Sequence, residues 1–364
     1  MGDQATISER EAKVLGIIET ARGKRGKFRD QKINMSHGAG GKATQSLIEG
    51  LLAPAFANAT LDEMADAGAL TVEGVELAMT TDSFVVKPLR FPGGSIGTLA
   101  VHGTINDLAV SGARPLALTL SLVLEEGLGA DELRAEVDAV ATAAAAAGVS
   151  VIAGDTKVVE RGHADGMYVC TTGIGQRDPR AHLSPNALKP GDRILLSGSI
   201  GEHGTAIMLA RNEFELDAEI ESDSCSLWPA VDMLLDAVGP SLRCMRDATR
   251  GGVASVLNEL ARSSSVAMIV RERDVPVQPA VVGAAEILGI DPMYMANEGK
   301  MVVFVAPDAA DEALTALRAV PGCELAAQIG EVRTTPPGMV LVQTSFGGRR
   351  VMDQLVGDPL PRIC

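Results

Sequence analysis

A few residues of this chain are of the right type and spacing to move a small group between two places. The first is a thiol. The last ten residues, Leu355-Val356-Gly357-Asp358-Pro359-Leu360-Pro361-Arg362-Ile363-Cys364, hold two prolines and one glycine and follow neither a helix nor a strand period. They read as an extended, mobile arm with Cys364 at its tip, spanning at most about 30 to 35 Å. A thiol so placed can visit a site on its own protein and another site elsewhere, which is a design for carrying a group. The second set is acidic. Asp82, Asp107, Asp155 and Asp247 each follow or interrupt an apolar stretch, where an unpaired carboxylate is costly. Carboxylates sharing Mg²⁺ escape that cost, and the metal would bridge nucleotide phosphates. Taken singly, each Asp fits a turn or a helix cap equally well.

Two glycine-rich strings are suited to phosphate. His37-Gly38-Ala39-Gly40-Gly41-Lys42 precedes an apolar, helix-like segment, and Asp247-Ala248-Thr249-Arg250-Gly251-Gly252 precedes another. Glycines let backbone N–H groups approach phosphate oxygens closely, and a helix N-terminus adds favourable potential. The first string lacks the spacing of a Walker A loop, and a plain flexible loop is the other reading. Glu298, in Ala296-Asn297-Glu298-Gly299-Lys300, sits at a turn before an apolar strand. It is either a surface residue or a base or metal ligand in a cleft.

The elements that must position these residues are of mixed type. Strands are expected at Glu76–Val86, Val149–Ala153, Arg193–Ser197, Met301–Ala306 and Met339–Gln343, and helices at Ile96–Ser111, Ala130–Ala147, 250–262 and 278–289. A Pro-rich junction from Asp178 to Gly191 divides two α/β-type domains, 35–178 and 179–343, followed by the tail 344–364. Residues 1–34 read as an extension. A capping box at Ser8 opens a short apolar face, and a basic run follows around Arg22, Lys24, Arg25, Lys27 and Arg29. This is either a solvated charge run or a docking arm.

At 364 residues the chain is long enough for two domains, with 46% hydrophobic but only 3% aromatic residues, so the cores are aliphatic. A net charge of −15 argues against general binding to nucleic acid or acidic membranes. No apolar run approaches the roughly 18 to 20 residues of a membrane span. The five cysteines, Cys170, Cys225, Cys244, Cys323 and Cys364, have no C-x-x-C spacing. This points away from zinc and towards free thiols in a reducing, cytoplasmic setting. Apart from Cys364 they read as small core residues.

The string Asp107-Leu-Ala-Val-Ser-Gly112-Ala113-Arg114-Pro115, with the two glycine strings, resembles the ATP-binding superfamily of aminoimidazole ribonucleotide synthetase, selenophosphate synthetase and thiamine monophosphate kinase. Phe91-Pro92-Gly93-Gly94, Gly154-Asp155-Thr156-Lys157-Val158-Val159, Asn297-Glu298-Gly299-Lys300 and the ending Pro361-Arg362-Ile363-Cys364 narrow the likeness. From about Met35 onward the chain resembles the HypE family, carbamoyl dehydratases of [NiFe]-hydrogenase maturation. The resemblance implies two aminoimidazole ribonucleotide synthetase-like (PurM-like) domains of α+β or α/β type, the first binding ATP and dimerising. It implies that a carbamoyltransferase, HypF, loads the Cys364 thiol. ATP-dependent dehydration then makes a thiocyanate, and its cyanide passes to iron on a HypC–HypD complex.

On this resemblance the catalytic residues are Cys364, Glu298 as base and Lys157 against the carbamoyl group or γ-phosphate. Asp82, Asp107 and Asp155 would hold Mg²⁺, with Asp247 a weaker ligand. His37, Gly38, Gly40, Gly41, Asn106, Asp247, Thr249, Gly251 and Gly252 would hold ATP. For His37 an ordinary loop histidine is an equal reading, and for Lys157 a surface lysine remains open. Arg362 would oppose the rise in thiol pKa from the adjacent carboxylate. A selenophosphate synthetase-like enzyme is the nearest rival, but it normally needs a reactive cysteine or selenocysteine near the first glycine loop, and no cysteine precedes Cys170. A non-catalytic carrier in the maturation complex is the other.

Overall fold

The computed structural model describes residues 28–211, 219–357, 360 and 363–364. The capping box at Ser8, the basic residues Arg22 to Lys27, and Asp358, Pro359, Pro361 and Arg362 lie outside the described residues, and so do the expectations placed on them.

Two sheets organise the chain. The first has five strands in the order Gly68–Val72, Val75–Phe84, Met167–Arg177, Ala113–Glu125 and Ser150–Val159. All neighbours are antiparallel except the last pair, which is parallel and joined through helix Ala130–Ala146. Helix Ile96–Val110 crosses the inner face and is almost wholly buried, so its sequence is apolar nearly all round rather than striped. Gly173 lets it approach, because a Cβ there would meet Thr104 at 2.8 Å and Leu108 at 2.9 Å. The second sheet has seven strands in the order Arg349–Met352, Met339–Gln343, Ala267–Arg271, Ala327–Arg333, Arg193–Leu196, Met301–Val305 and Leu242–Asp247. Helices Gly252–Ser263 on one side, and Trp228–Val238 with Ala310–Arg318 on the other, give it two aliphatic cores.

The named strands and helices fall close to where periodicity places them. The strand expected at Val149–Ala153 runs on to Val159 and takes in the Gly154–Val159 string. Arg349–Met352 pairs antiparallel with Met339–Gln343, so a strand extends into the stretch expected as tail. The 13-residue strand Ala113–Glu125 is absent from the expected set although Leu116, Leu118, Leu120, Leu122 and Leu124 fall at every second position along it, which is the alternation of a strand.

The two halves are not loosely linked. Ala109 and Val110 of the first domain belong to the apolar core of the second. A third core joins Phe84, Leu99 and Val169 to Ala206 and Met295, and to Leu360, Ile363 and Cys364 of the C-terminal segment. In contrast, the outermost strand Ser150–Val159 is open to solvent, with Ile152 and Val158 each 67% exposed. Among the described residues no helix is long and apolar enough to cross a membrane.

Candidate active site

The chain turns its thiol inward. Cys364 is buried, and its main-chain oxygen accepts from Val85 N at 3.1 Å. Arg250 grips the same residue twice, donating through Nε to Sγ at 2.8 Å and through Nη2 to the main-chain oxygen at 2.9 Å. Its Nη1 donates to Gly38 O at 2.8 Å. Burial pushes the thiol pKa up to about 12; Arg250 draws it down and Glu298 adds to it. In this position Cys364 is a protonated thiol, inert as a nucleophile.

Glu298 is buried nearby. Asn297 fixes its loop by accepting from Gly201 N at 2.7 Å through Oδ1 and donating to Ala248 O at 3.0 Å. Asp223 accepts from the amides of Glu298 and Gly299 at 3.1 and 3.3 Å and pairs with Lys300 at 3.6 Å. Burial, then the charges of Asp223 and Asp247, raise the Glu298 pKa well above the carboxylate range, with Arg250 opposing. Its Oε1 is buried without a hydrogen-bond partner.

A carboxylate cluster forms between the domains. Oxygens of Asp66, Asp107 and Asp247 all lie within 4.8 Å of one another. Asp66 precedes the first strand, Asp107 projects from helix Ile96–Val110 and Asp247 ends strand Leu242–Asp247. Asp82 borders the set, its Oδ2 accepting from Thr104 at 3.2 Å. Burial raises all four pKa values; the Asp107 value is raised further by Asp82, Asp247 and Asp66, and Asp247 reaches about 8. Arg246 is the near cation, 2.5 Å from Asp66 and 3.6 Å from Glu259. An all-oxygen, mutually repelling donor set is what a hard dication relieves, so these residues fit Mg²⁺.

Several expected site residues stand elsewhere. Asp155 and Lys157 lie on the exposed edge strand and pair with each other at 2.6 Å. Asp82 is in register with Thr171, Thr171 with Leu120 and Leu120 with Gly154, which sets Asp155 three strand spacings, about 14 Å, from Asp82. Within one subunit Asp155 is therefore not a ligand of the cluster, and Lys157 does not approach Cys364. The Asn106 side chain donates to Cys225 O and Glu298 O and accepts from Leu227 N, at 2.9, 3.1 and 2.8 Å, which clips the domains together.

His37 is buried against its own segment, its ring bonded to Asp30 at 2.9 Å and to Asn34 N at 3.1 Å, edge-on to Phe28. The glycines do serve close approach, but to the chain itself. A Cβ at Gly40 would meet Arg250 O at 2.6 Å, at Gly41 Leu355 O at 2.6 Å, and at Gly252 Met295 O at 2.5 Å. The amides of Gly40 and Gly252 already donate to Thr44 Oγ1 and Thr249 O. A cavity of about 240 Å³ opens between Gly40, Gly41, Thr44, Arg246, Glu259 and Arg262. Cys225 is exposed rather than a core residue; Cys170 is half-buried, and Cys244 and Cys323 are buried.

Sequence reasoning missed Asp66, His203 and Asp223 and gave Arg250 no role. Arg250 lies inside a string already singled out, and His203 lies two residues past Gly201 in the turn after strand Arg193–Leu196; Asp66 and Asp223 sit in loops without a distinguishing pattern.

Comparison with known proteins fits this layout. Residues 64–176 match the family described as AIR synthase related protein, N-terminal domain, and 189–342 its C-terminal domain. Carbamoyl dehydratase HypE of Rhizobium leguminosarum bv. viciae is 49% identical, over 92% of this chain and 95% of that protein. The protein of the same name from Escherichia coli (strain K12) is 43% identical, over 91% and 99%. The chain belongs to the HypE family. Among solved structures, a HypE–HypF complex superposes with TM-score 0.81 at 43% identity, covering 85% of this chain and 99% of that one. A hydrogenase maturation protein HypE in complex with ATP gives 0.77 at 43%, covering 92% and 100%. Both expected domains and their mixed architecture are thus present.

Proposed function

We propose that this protein is an ATP-dependent carbamoyl dehydratase of hydrogenase maturation, acting on an S-carboxamide carried by its own Cys364. The observation that carries the reading is the seating of Cys364 beside Arg250 and Glu298, next to a cluster of carboxylates suited to Mg²⁺. A thiol that is buried and protonated here cannot be acylated here. It is loaded outside, by a carbamoyltransferase of the HypF kind, and returns loaded.

The chemistry follows from the poor leaving ability of an amide oxygen. That oxygen attacks the γ-phosphorus of ATP, ADP leaves, and the nitrogen gives up one proton. The phosphorylated oxygen then departs as phosphate, the second N–H proton is removed, and Cys364–S–C≡N remains. Water is thus taken from the carboxamide into phosphate. Positioning and charge neutralisation carry such a transfer. Asp66, Asp107 and Asp247 would hold Mg²⁺, with Asp82 beside them, and the bound ion would neutralise phosphate charge. The cavity lined by Gly40, Gly41, Arg246 and Arg262 beside the cluster is where phosphate would lie. Arg250 orients the sulfur. Glu298 removes a proton from nitrogen once ionised, and its raised pKa makes that ionised form a strong base. The cyanide would pass to iron on a HypC–HypD partner.

The open edge strand Ser150–Val159 supports a homodimer through the first domains, because an uncovered apolar edge invites pairing. Such pairing would bring Asp155 and Lys157 to a second subunit. The function is tested by incubating the protein with ATP, Mg²⁺ and its carbamoylating partner. A C-terminal peptide lighter by one water than its carbamoylated form is expected; ATP hydrolysis with no change at Cys364 would refute it.

A further inference from the structure

His203 lies between the C-terminal segment and Glu298. It is the second residue of helix Glu202–Ala210, and it is fully buried. Gly201, before the helix, is held by Asn297 Oδ1, so the ring and the neighbouring Glu298 have fixed relative places. Phe91 packs edge-on to the ring at 5.6 Å between centroids and 85° between planes, which sets its orientation.

The hydrogen bonds fix the tautomer. Ile363 O can only accept, so the Nε2 that meets it at 2.6 Å carries a proton, and Ser222 Oγ, 2.8 Å from Nδ1, donates to that nitrogen. Nδ1 is then the acceptor and the proton resides on Nε2. Burial keeps the ring neutral, so that one N–H is all it can offer. It is donated to Ile363 O at 2.6 Å, while Glu298 Oε1, buried without a hydrogen-bond partner, stands 4.0 Å from the same nitrogen.

We propose that His203 is a positioning residue that seats the terminal dipeptide, and that its single Nε2–H passes from Glu298 to Ile363 when the segment docks. With the segment out, Nε2–H turns to Glu298 Oε1, 4.0 Å away, and holds that carboxyl oxygen. With the segment in, the donor is taken by the Ile363 carbonyl, and Glu298 is freed as Cys364 arrives. The base is thus available only when its substrate is present. This role for Glu298 rests on the dehydratase reading; the exchange of acceptors does not.

Seating is read by alkylating the full chain with iodoacetamide and following the C-terminal peptide by mass, with Cys170, on strand Met167–Arg177, as internal control. Losing one buried hydrogen bond should make Cys364 in His203→Ala react roughly five- to tenfold faster. His203→Gln, whose amide N–H reaches a similar place, should stay within about twofold of the wild type. His203→Phe, which keeps a ring packed on Phe91 but has no N–H to donate, should also speed alkylation. This variant carries the test if His203→Ala does not fold. The exchange itself is read from the ring ¹⁵N and N–H resonances of His203 in the wild type and in a chain lengthened after Cys364, whose end cannot be seated. A shift in the Nε2–H signal is expected as its acceptor changes from a carbonyl to a carboxyl. Wild-type alkylation rates in natively folded His203→Ala and His203→Phe, failure of Gln to restore protection, or identical ring signals in the two chains would overturn the proposal. None of these readouts uses ATP or a carbamoyl donor, so their outcome is separate from that of the dehydration assay.

Discussion

Raising the pH should weaken the metal-free protein, and Mg²⁺ should remove the effect. Asp247 sits with Asp66 and Asp107 in a set whose oxygens are within 4.8 Å of one another. At that distance each like-charge pair costs about 3 to 4 kcal/mol at an effective dielectric constant near 20. Its pKa rises from an ordinary 3.8 to about 8, through burial first and Asp66 second. A carboxyl whose folded pKa is raised lends stability that is fully present below its unfolded value and is lost as pH climbs through the folded one. The window is therefore about pH 4 to 8, and the proton on Asp247 is worth of order 5 kcal/mol to the fold.

Asn mimics the protonated carboxyl at every pH. Asp247→Asn should match the wild type near pH 4 and exceed it by several kcal/mol above pH 8, of order 10 °C in melting temperature. Thermal unfolding between pH 5 and 8.5, with and without Mg²⁺, measures this. Millimolar Mg²⁺ should raise the wild-type melting temperature at pH 8 and leave the variant nearly unmoved, because the dication takes the place of the proton. A wild type that gains stability over this range relative to Asp247→Asn, or a variant that responds to Mg²⁺ as the wild type does, would refute the argument.

Other outcomes follow from the same geometry. Cys364→Ser should abolish thiocyanate formation, read by mass, while ATP affinity measured by calorimetry stays within about threefold. Glu298→Gln should bind ATP and accept the carbamoyl group but dehydrate roughly 10²- to 10⁴-fold more slowly in single turnover; in the wild type that rate should rise with pH above the ordinary carboxylate range, since the raised pKa delays the active anion. Asp66→Asn should weaken Mg²⁺ binding by tenfold or more in calorimetry, whereas Asp155→Asn should change it less than twofold at concentrations where the protein is monomeric. A large Asp155 effect confined to dimeric samples would mean that the edge strand completes the cluster of a second subunit.

The sequence by itself determined the class of fold and the kind of chemistry. Continuous apolar runs, one of helix length and one of strand length, marked the helix Ile96–Val110 and the strand Met301–Val305, and both are buried nearly throughout. The thiol at Cys364, the carboxylates Asp107 and Asp247, and Glu298 at a turn were legible because polar groups that interrupt apolar runs demand a reason. Only the tertiary structure decided which of them meet. Asp66 has nothing in its neighbourhood to mark it, and it joins Asp107 and Asp247 because three separate elements converge at the domain junction. Asp155 has a conspicuous string around it and lies on an exposed edge. His203 and Ile363, 160 positions apart, make one short bond. Pattern in a chain reports what each residue needs locally. Which long-range neighbour satisfies that need is set by how sheets and helices pack, and spacing along the chain does not encode it.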